Sequence, residues 1–313
     1  MAQLISVVMP AYNAATYIGE AIASVQAQTY LHWELLVVDD GSTDSTAAVV
    51  VGFSRLDARV RYVYQSNAKQ GRARNNGIAH AQGELIAFLD ADDIWLPHKL
   101  AVQVAALTTD GIDLVFSDSY VFRDLCTPVA SLPLLGAGRG RYAGKEAIRQ
   151  LAGQNFIPIL TVLTTKAALA RGYGFDENAT VQYGEDYHLW LRMLLNGAVF
   201  LGLEEPLAAY RLSSASVTAY DNQNFTQLIG GVANMKATFP QHRRLLHAGI
   251  DNHIRRSGID MLLPANDSFF YTSLDQYFAA TGRGYWRPIF SSLHVLRARK
   301  LALRAAYFIF NYL

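Results

Sequence analysis

Leu85-Ile86-Ala87-Phe88-Leu89-Asp90-Ala91-Asp92-Asp93 is an apolar run that ends in three carboxylates within four residues. With Gly83-Glu84 before it, the run reads as a buried strand that stops at the acidic cluster. Carboxylates crowded at a strand end repel one another and lose hydration unless a cation or several donors sit among them. A hard divalent cation, its other positions filled by phosphate oxygens, supplies that compensation. The competing account is a solvated acidic turn in which Asp92 or Asp93 caps a helix starting near Pro97. Taken alone, so short a motif favours the second account. The surrounding chain decides between them.

Upstream, residues 4–9 form a β-rich run closed by Pro10, and a helical pattern follows through Ile18, Ile22 and Val25. A strand over 33–38 stops at Asp39-Asp40-Gly41-Ser42-Thr43-Asp44, with a helix over 46–53 after it. A third strand over 60–64, a helix over 72–81, the strand over 85–89, a helix over 100–107 and a strand over 113–116 continue the alternation. Strands alternating with helices predict a parallel sheet covered on both faces. Such sheets bind ligands beyond the carboxyl ends of their strands. Tyr12-Asn13, Asp39-Asp40 and Asp90 to Asp93 all occupy such ends, which predicts one shared cleft.

Downstream the pattern loosens. Residues 128–140 are rich in Gly and Pro and read as a loop, 144–151 as a helix and 159–165 as a strand. Gly184-Glu185-Asp186-Tyr187-His188-Leu189-Trp190-Leu191-Arg192 opens a helix that stops at Asn196-Gly197, which puts Glu185 and Asp186 in its first turn. Acids there complement the helix dipole in any case. Tyr210-Arg211 closes a short strand, and from 222 onward the pattern is helical.

The 313 residues, 51% hydrophobic with net charge +1, suit a globular α/β protein with a large core. Cys126 is the sole cysteine, so no internal disulfide and no cysteine-only metal cage forms. Residues 4–9 read as a strand rather than a secretory leader, and no run approaches the roughly 20 apolar residues that span a bilayer, so a cytoplasmic location is expected. There is no Walker loop, no zinc-type Cys/His spacing and no basic-aromatic platform, so nucleic acid is not an expected partner.

Val8-Met9-Pro10-Ala11-Tyr12-Asn13, Val38-Asp39-Asp40-Gly41-Ser42-Thr43-Asp44, Gly71-Arg72-Ala73-Arg74-Asn75-Asn76-Gly77, Leu89-Asp90-Ala91-Asp92-Asp93, Gly184-Glu185-Asp186 and Tyr210-Arg211 resemble, in that order, the family 2 nucleotide-sugar glycosyltransferases. The resemblance implies a GT-A-like, Rossmann-related, mostly parallel sheet flanked by helices. It covers a catalytic domain over 1–218 and leaves a helical C-terminal region over 219–313.

It further implies a nucleotide site of Pro10, Ala11, Tyr12, Asn13, Asp39, Asp40, Arg72, Arg74, Asp90, Ala91, Asp92 and Arg211. Asp40 would accept from a uracil or thymine imide, a task that suits an acceptor-only carboxylate. Asp92, with Asp90 and Asp93, would hold Mg²⁺ or Mn²⁺ on the diphosphate. Asp186 would be the catalytic base of an inverting displacement, with Glu185 beside it. Where many relatives carry a metal-binding His after the Tyr-Arg pair, this chain has Ser213, a poor substitute for imidazole, and Arg211 is expected to bear part of the diphosphate charge. Gly71 and Gly77 are read as packing residues, and Ser42 to Asp44 as a turn and helix cap.

The expected function is transfer of a sugar from a UDP- or dTDP-sugar to a saccharide or lipid-linked acceptor hydroxyl, in polysaccharide or glycolipid assembly. A sugar-phosphate nucleotidyltransferase would want a Gly-rich basic loop after the first strand, where Tyr12-Asn13-Ala14-Ala15 stands. A catalytically inactive sugar-binding protein on the same fold is the third reading. In the tail, Arg297, Lys300 and Arg304 form one helical stripe beside an apolar flank of Leu301, Ala305, Phe308 and Tyr312. That pattern over 293–313 suits the anionic cytoplasmic face of a membrane, or equally packing on the catalytic domain or on the mate in a homo-oligomer.

Overall fold

β1 (Ile5–Ala11) and β2 (Trp33–Asp40) lie parallel at the heart of the larger sheet, with Ile5 opposite Trp33 and Ala11 opposite Asp39. Every residue of β2 and all but Pro10 of β1 are buried, as near-continuous apolar runs demand when both faces of a sheet are covered, and the buried Ser6 and Glu34 within them bond each other at 2.7 Å. The computed structural model describes residues 2–109, 111–123, 131–178 and 184–212, and a few positions between 235 and 288. The chain divides into two compact units, one of Met1–Gly144, Asn155–Glu177 and Glu185–Ser214, the other of Lys145–Gln154, Asn178–Gly184 and Ala215–Leu313.

In the first unit β3 (Val60–Gln65) pairs parallel with β2, and β4 (Leu85–Phe88) parallel with β1. The crossovers run through α1 (Ile18–Gln26), α2 (Thr46–Leu56) and α3 (Lys69–His80). This is the predicted alternation. α3 packs very close to the sheet, since a Cβ added at Gly77 would stand 2.5 Å from Val8 Cγ1 and 3.2 Å from Val38 Cγ2.

Beyond β4 the sheet turns mixed. β5 (Ile94–Trp95) and α4 (Lys99–Leu107) follow the acidic cluster, and then come β6 (Leu114–Phe116), β7 (Ser119–Phe122) and β8 (Gly140–Tyr142). α5 (Gly144–Gly153) buries Ala147, Ile148, Leu151 and Ala152 along one side, and its body from Lys145 belongs to the second unit. β9 (Leu163–Thr165), α6 (Lys166–Arg171), α7 (Glu185–Leu195), β10 (Phe200–Gly202) and β11 (Ala208–Arg211) complete the first unit.

The eight-stranded sheet has the order β3-β2-β1-β4-β9-β6-β10-β8, with β9 antiparallel to both neighbours. A second sheet, β5-β11-β7, pairs β11 antiparallel with β5 and parallel with β7.

Two expectations shift here. The strand read over 159–165 begins as a 3-10 turn at Ile159–Thr161 and becomes extended only at β9. The helix expected near Pro97 starts at Lys99, with no side-chain cap at His98, and β5 intervenes, so neither Asp92 nor Asp93 caps it. α7 ends as its sequence requires: Gly197 takes φ 83°, and the amides of Gly197 and Ala198 close on Leu194 and Met193 carbonyls at 3.0 Å. Among the described residues no helix is long and apolar enough to cross a membrane. Most of the helical region expected over 219–313, with Ser213 and the basic stripe of the tail, lies outside the described residues.

Candidate active site

Strand register brings the polar ends together. Ala11 is level with Asp39, and Val8 with Phe88, after which the Leu89 amide still bonds the Val8 carbonyl at 3.2 Å. The chain therefore leaves β1 at Tyr12, β2 at Asp40 and β4 at Asp90 along one edge of the sheet.

The first two exits are laced to each other. Asn13 adopts φ 49°, its Oδ1 accepts the Thr43 amide at 2.8 Å, and its own amide donates to Ser42 Oγ at 2.9 Å. Asp44 accepts the Ala15 amide at 3.1 Å through one oxygen and the Thr46 amide at 2.9 Å through the other. Ser42 to Asp44 thus form the turn read from the sequence, while the N-cap of α2 is Ser45, which makes no side-chain cap bond, and Asp44 instead takes the amide of Thr46. Tyr12 beside them is 53% exposed, which leaves its ring free to face a ligand. Pro10 and Ala11 supply backbone behind it.

Asp39 and Asp40 are both buried but hold different loops. Asp39 accepts the Ser42 amide at 2.8 Å and the Tyr62 hydroxyl at 2.7 Å. Asp40 accepts the Ala68 and Lys69 amides, each at 2.8 Å, and Gln65 Nε2 at 2.7 Å. Lys69 is held at φ 71° there, which brings its amide round to the carboxylate. A carboxylate offers about four lone-pair sites. Asp40 therefore keeps capacity for one further donor.

Arg72 and Arg74 part company on α3. Arg72 is 63% exposed and lies 3.8 Å from Glu177. Arg74 is 3% exposed, donates to Asp90 Oδ1 at 2.7 Å and to Glu185 Oε1 at 2.5 Å, and rests 5.5 Å from the Phe175 ring centroid. Phe175, on the segment between α6 and α7, packs edge-on against Phe88 of β4 at 5.3 Å and lies 6.4 Å from Trp190 of α7, so the ring beneath the guanidinium is itself braced by both elements. One arginine ties the acidic exit of β4 to the first turn of α7. Nothing in sequence spacing marks that bridge.

Glu185 is buried, and burial, with Asp186 adding and Arg74 opposing, pushes its carboxyl up to about 7. Asp186 is also raised, chiefly by burial, with Arg74 opposing and Asp90 adding. Its Oδ1 accepts the Tyr187 amide at 2.6 Å, and Asn155 Nδ2 approaches Oδ2 at 3.5 Å. Asn155 escaped the sequence analysis as a partner of Asp186. The only signal was its place in the polar-aromatic stretch Asn155-Phe156-Ile157-Pro158.

The three carboxylates after β4 have three environments. Asp90 gives an oxygen to Arg74. Asp92 is half-buried, and burial followed by the charge of Asp90 pushes its carboxyl up to about 6. Asp93, grouped with them as a metal ligand, is 1% exposed and accepts the Arg211 amide at 2.8 Å, its other oxygen being buried without a hydrogen bond. The Arg211 guanidinium is 5% exposed, and its Nε bonds the Asp92 carbonyl at 2.7 Å and its Nη2 the Glu20 carboxylate.

Among the described residues no group of three His, Cys, Asp or Glu side chains is arranged to hold a metal ion. The chemistry still fits a cation bound through one or two carboxylates and completed by a ligand's phosphate oxygens. Asp92, a carboxylate made costly to ionise by burial and then by Asp90 beside it, is the group such a charge would relieve.

Residues 6–157 match the family model described as Glycosyl transferase family 2. The chain is 32% identical over 220 residues to the UDP-Glc:alpha-D-GlcNAc-diphosphoundecaprenol beta-1,3-glucosyltransferase WfgD of Escherichia coli, covering 69% of this chain and 80% of that one. It is 36% identical over 233 residues to the glycosyltransferase GlyG of Streptococcus pneumoniae, covering 69% and 73%. Among solved structures it resembles S. aureus TarS 1-349, with TM-score 0.67 at 18% identity over 98% of this chain and 88% of that one. The same TarS chain in complex with UDP-GlcNAc gives TM-score 0.66, covering 98% and 89%. The fold is therefore the GT-A-like one that the motifs implied, and the chain belongs to glycosyltransferase family 2.

Proposed function

We propose that the enzyme moves a hexose-type unit from a UDP- or dTDP-sugar to the hydroxyl of a saccharide or lipid-linked acceptor, with inversion at the anomeric carbon, during polysaccharide or glycolipid assembly. The observation that carries this reading is the Arg74 bridge, which sets the Asp-x-Asp exit of β4 beside the two acids that open α7. Donor phosphates at the first and an acceptor hydroxyl at the second would then meet across one anomeric carbon. The relatives' names agree, since WfgD is described as using UDP-Glc on a diphosphoundecaprenol-linked sugar and TarS binds UDP-GlcNAc.

In this reading Tyr12 and the backbone at Pro10 and Ala11 line the base, and the remaining acceptor capacity of Asp40 takes its imide N–H. Asp92 and Asp90 would hold Mg²⁺ or Mn²⁺, and such an ion would supply neutralisation of charge on the departing diphosphate. Asp186 removes the acceptor hydroxyl proton as that oxygen bonds the anomeric carbon, and the bond to the diphosphate breaks with its electrons leaving on the nucleotide. The raised Asp186 carboxyl is a stronger base than an ordinary aspartate. Glu185, fixed on Arg74, holds the first turn of α7 in place. The basic stripe of Arg297, Lys300 and Arg304 suits peripheral attachment where a lipid-linked acceptor resides.

Thermal-shift screening against UDP- and dTDP-sugars, with Mn²⁺ or with EDTA, tests the reading. A UDP-sugar should stabilise the protein more in Mn²⁺, and Asp92→Asn should remove that increment while leaving uridine binding intact. UDP affinity that ignores EDTA would remove the cation from the account.

A further inference from the structure

Asp92 lies just past the end of a two-pair ladder. β5 and β11 pair Trp95 with Ala208 and Ile94 with Ala209, and the same count sets Asp93 opposite Tyr210 and Asp92 opposite Arg211. Side chains carry the contact on where backbone pairing stops. Asp93 Oδ1 takes the Arg211 amide at 2.8 Å, and Arg211 Nε donates to the Asp92 carbonyl at 2.7 Å. The guanidinium is itself fixed, its carbon 4.4 Å from the Tyr17 ring centroid and 4.5 Å from that of Phe122, with Nη2 on the Glu20 carboxylate.

We propose that Arg211 is a positioning residue for Asp92, gripping the carbonyl of that residue so that its carboxylate points at the donor's diphosphate, with Glu20 holding Arg211 in turn. The inference rests on the reading of Asp92 given above. A carbonyl and a side chain share one Cα, so fixing the peptide plane narrows the directions in which the carboxylate can leave the backbone. A planar guanidinium can serve the carbonyl, the Glu20 carboxylate and both rings at once, whereas a lysine ammonium keeps the charge but not that geometry. Mutating a partner that orients a metal-binding side chain typically costs about 10- to 100-fold in metal affinity.

A direct contact between Arg211 and the diphosphate predicts the opposite response at Glu20. Removing that carboxylate would free the cation and reduce repulsion of UDP, so Glu20→Gln would tighten binding. A positioning role predicts weaker binding, because Arg211 loses its holder.

The test is titration of UDP in Mn²⁺ onto the full chain, its Arg211→Lys, Glu20→Gln and Asp92→Asn variants, and the two doubles with Asp92→Asn. We expect Arg211→Lys to weaken UDP about 10-fold or more and Glu20→Gln to weaken it by a smaller factor. In the Asp92→Asn background both should change affinity by less than about twofold, since a residue that acts only through Asp92 has nothing left to position. The half-exposed Glu20 supplies the same cycle if Arg211→Lys does not fold. Tighter binding by Glu20→Gln, or effects that persist undiminished in Asp92→Asn, would overturn the inference alone. A wild type that binds no UDP would overturn the site reading and the inference together.

Discussion

Arg74 and Glu185 stand 111 positions apart in the chain, yet Nη1 and Oε1 are 2.5 Å apart, with both side chains 3% exposed. Removing one partner of a buried, hydrogen-bonded ion pair leaves an uncompensated charge and costs about 3–5 kcal/mol. Arg74→Met should therefore lose stability on that scale in urea unfolding near pH 8, and adding Glu185→Gln should return part of it. A loss below about 1 kcal/mol would mean that the bridge is not under tension from burial.

The pH dependence of that bridge has a definite sign. Burial, then the Asp186 charge, raise Glu185 from 4.5 to about 7 against the pull of Arg74, so the folded chain holds this proton more tightly than the unfolded chain. The stability that follows is fully present below about 4.5 and is lost as pH rises to about 7. Glu185→Gln does not titrate. The difference in unfolding free energy, variant minus wild type, should rise across that window and flatten above it. A difference independent of pH would assign the proton elsewhere.

Gly77 offers a test of the packing that aims α3 at the site. The Cβ of an alanine would meet Val8 Cγ1 at 2.5 Å and Val38 Cγ2 at 3.2 Å, both from central strands with no room to retreat. Overpacking of this kind costs about 1–3 kcal/mol. Gly77→Ala should lower the urea midpoint accordingly, although alanine is the better helix former. A midpoint equal to or above that of wild type would show that the helix can lift off without loss.

Much of this was legible in the sequence because buried parallel strands announce themselves as nearly continuous apolar runs, as at β1, β2 and β4, broken only by Ser6 and Glu34 before the carboxyl ends. Their carboxyl ends then located Tyr12, Asp40 and Asp90 at one edge. The second sheet was not legible, since β5 is two residues long and carries no period. Without it, the bond from the Arg211 amide to Asp93, which continues the β5–β11 pairing, could not be foreseen. Residues two apart on a helix point to different sides, so Arg72 and Arg74 could not both face the acids. Choosing between them required knowing that Gly71, Ala73, Arg74 and Gly77 form the buried side of α3. The antiparallel insertion of β9 depends on pairings with strands 48 to 80 residues earlier, which local patterns do not encode.

The assignment of Asp186 as the base is tested most directly by Asp186→Asn, measured for UDP affinity by calorimetry and for sugar transfer by UDP release with a competent acceptor. General bases contribute about 10² to 10⁴ in rate, so turnover should fall by that factor while UDP affinity stays within about threefold of wild type. Turnover retained within a few-fold of wild type would contradict the account, because no base at this position would then be needed for transfer.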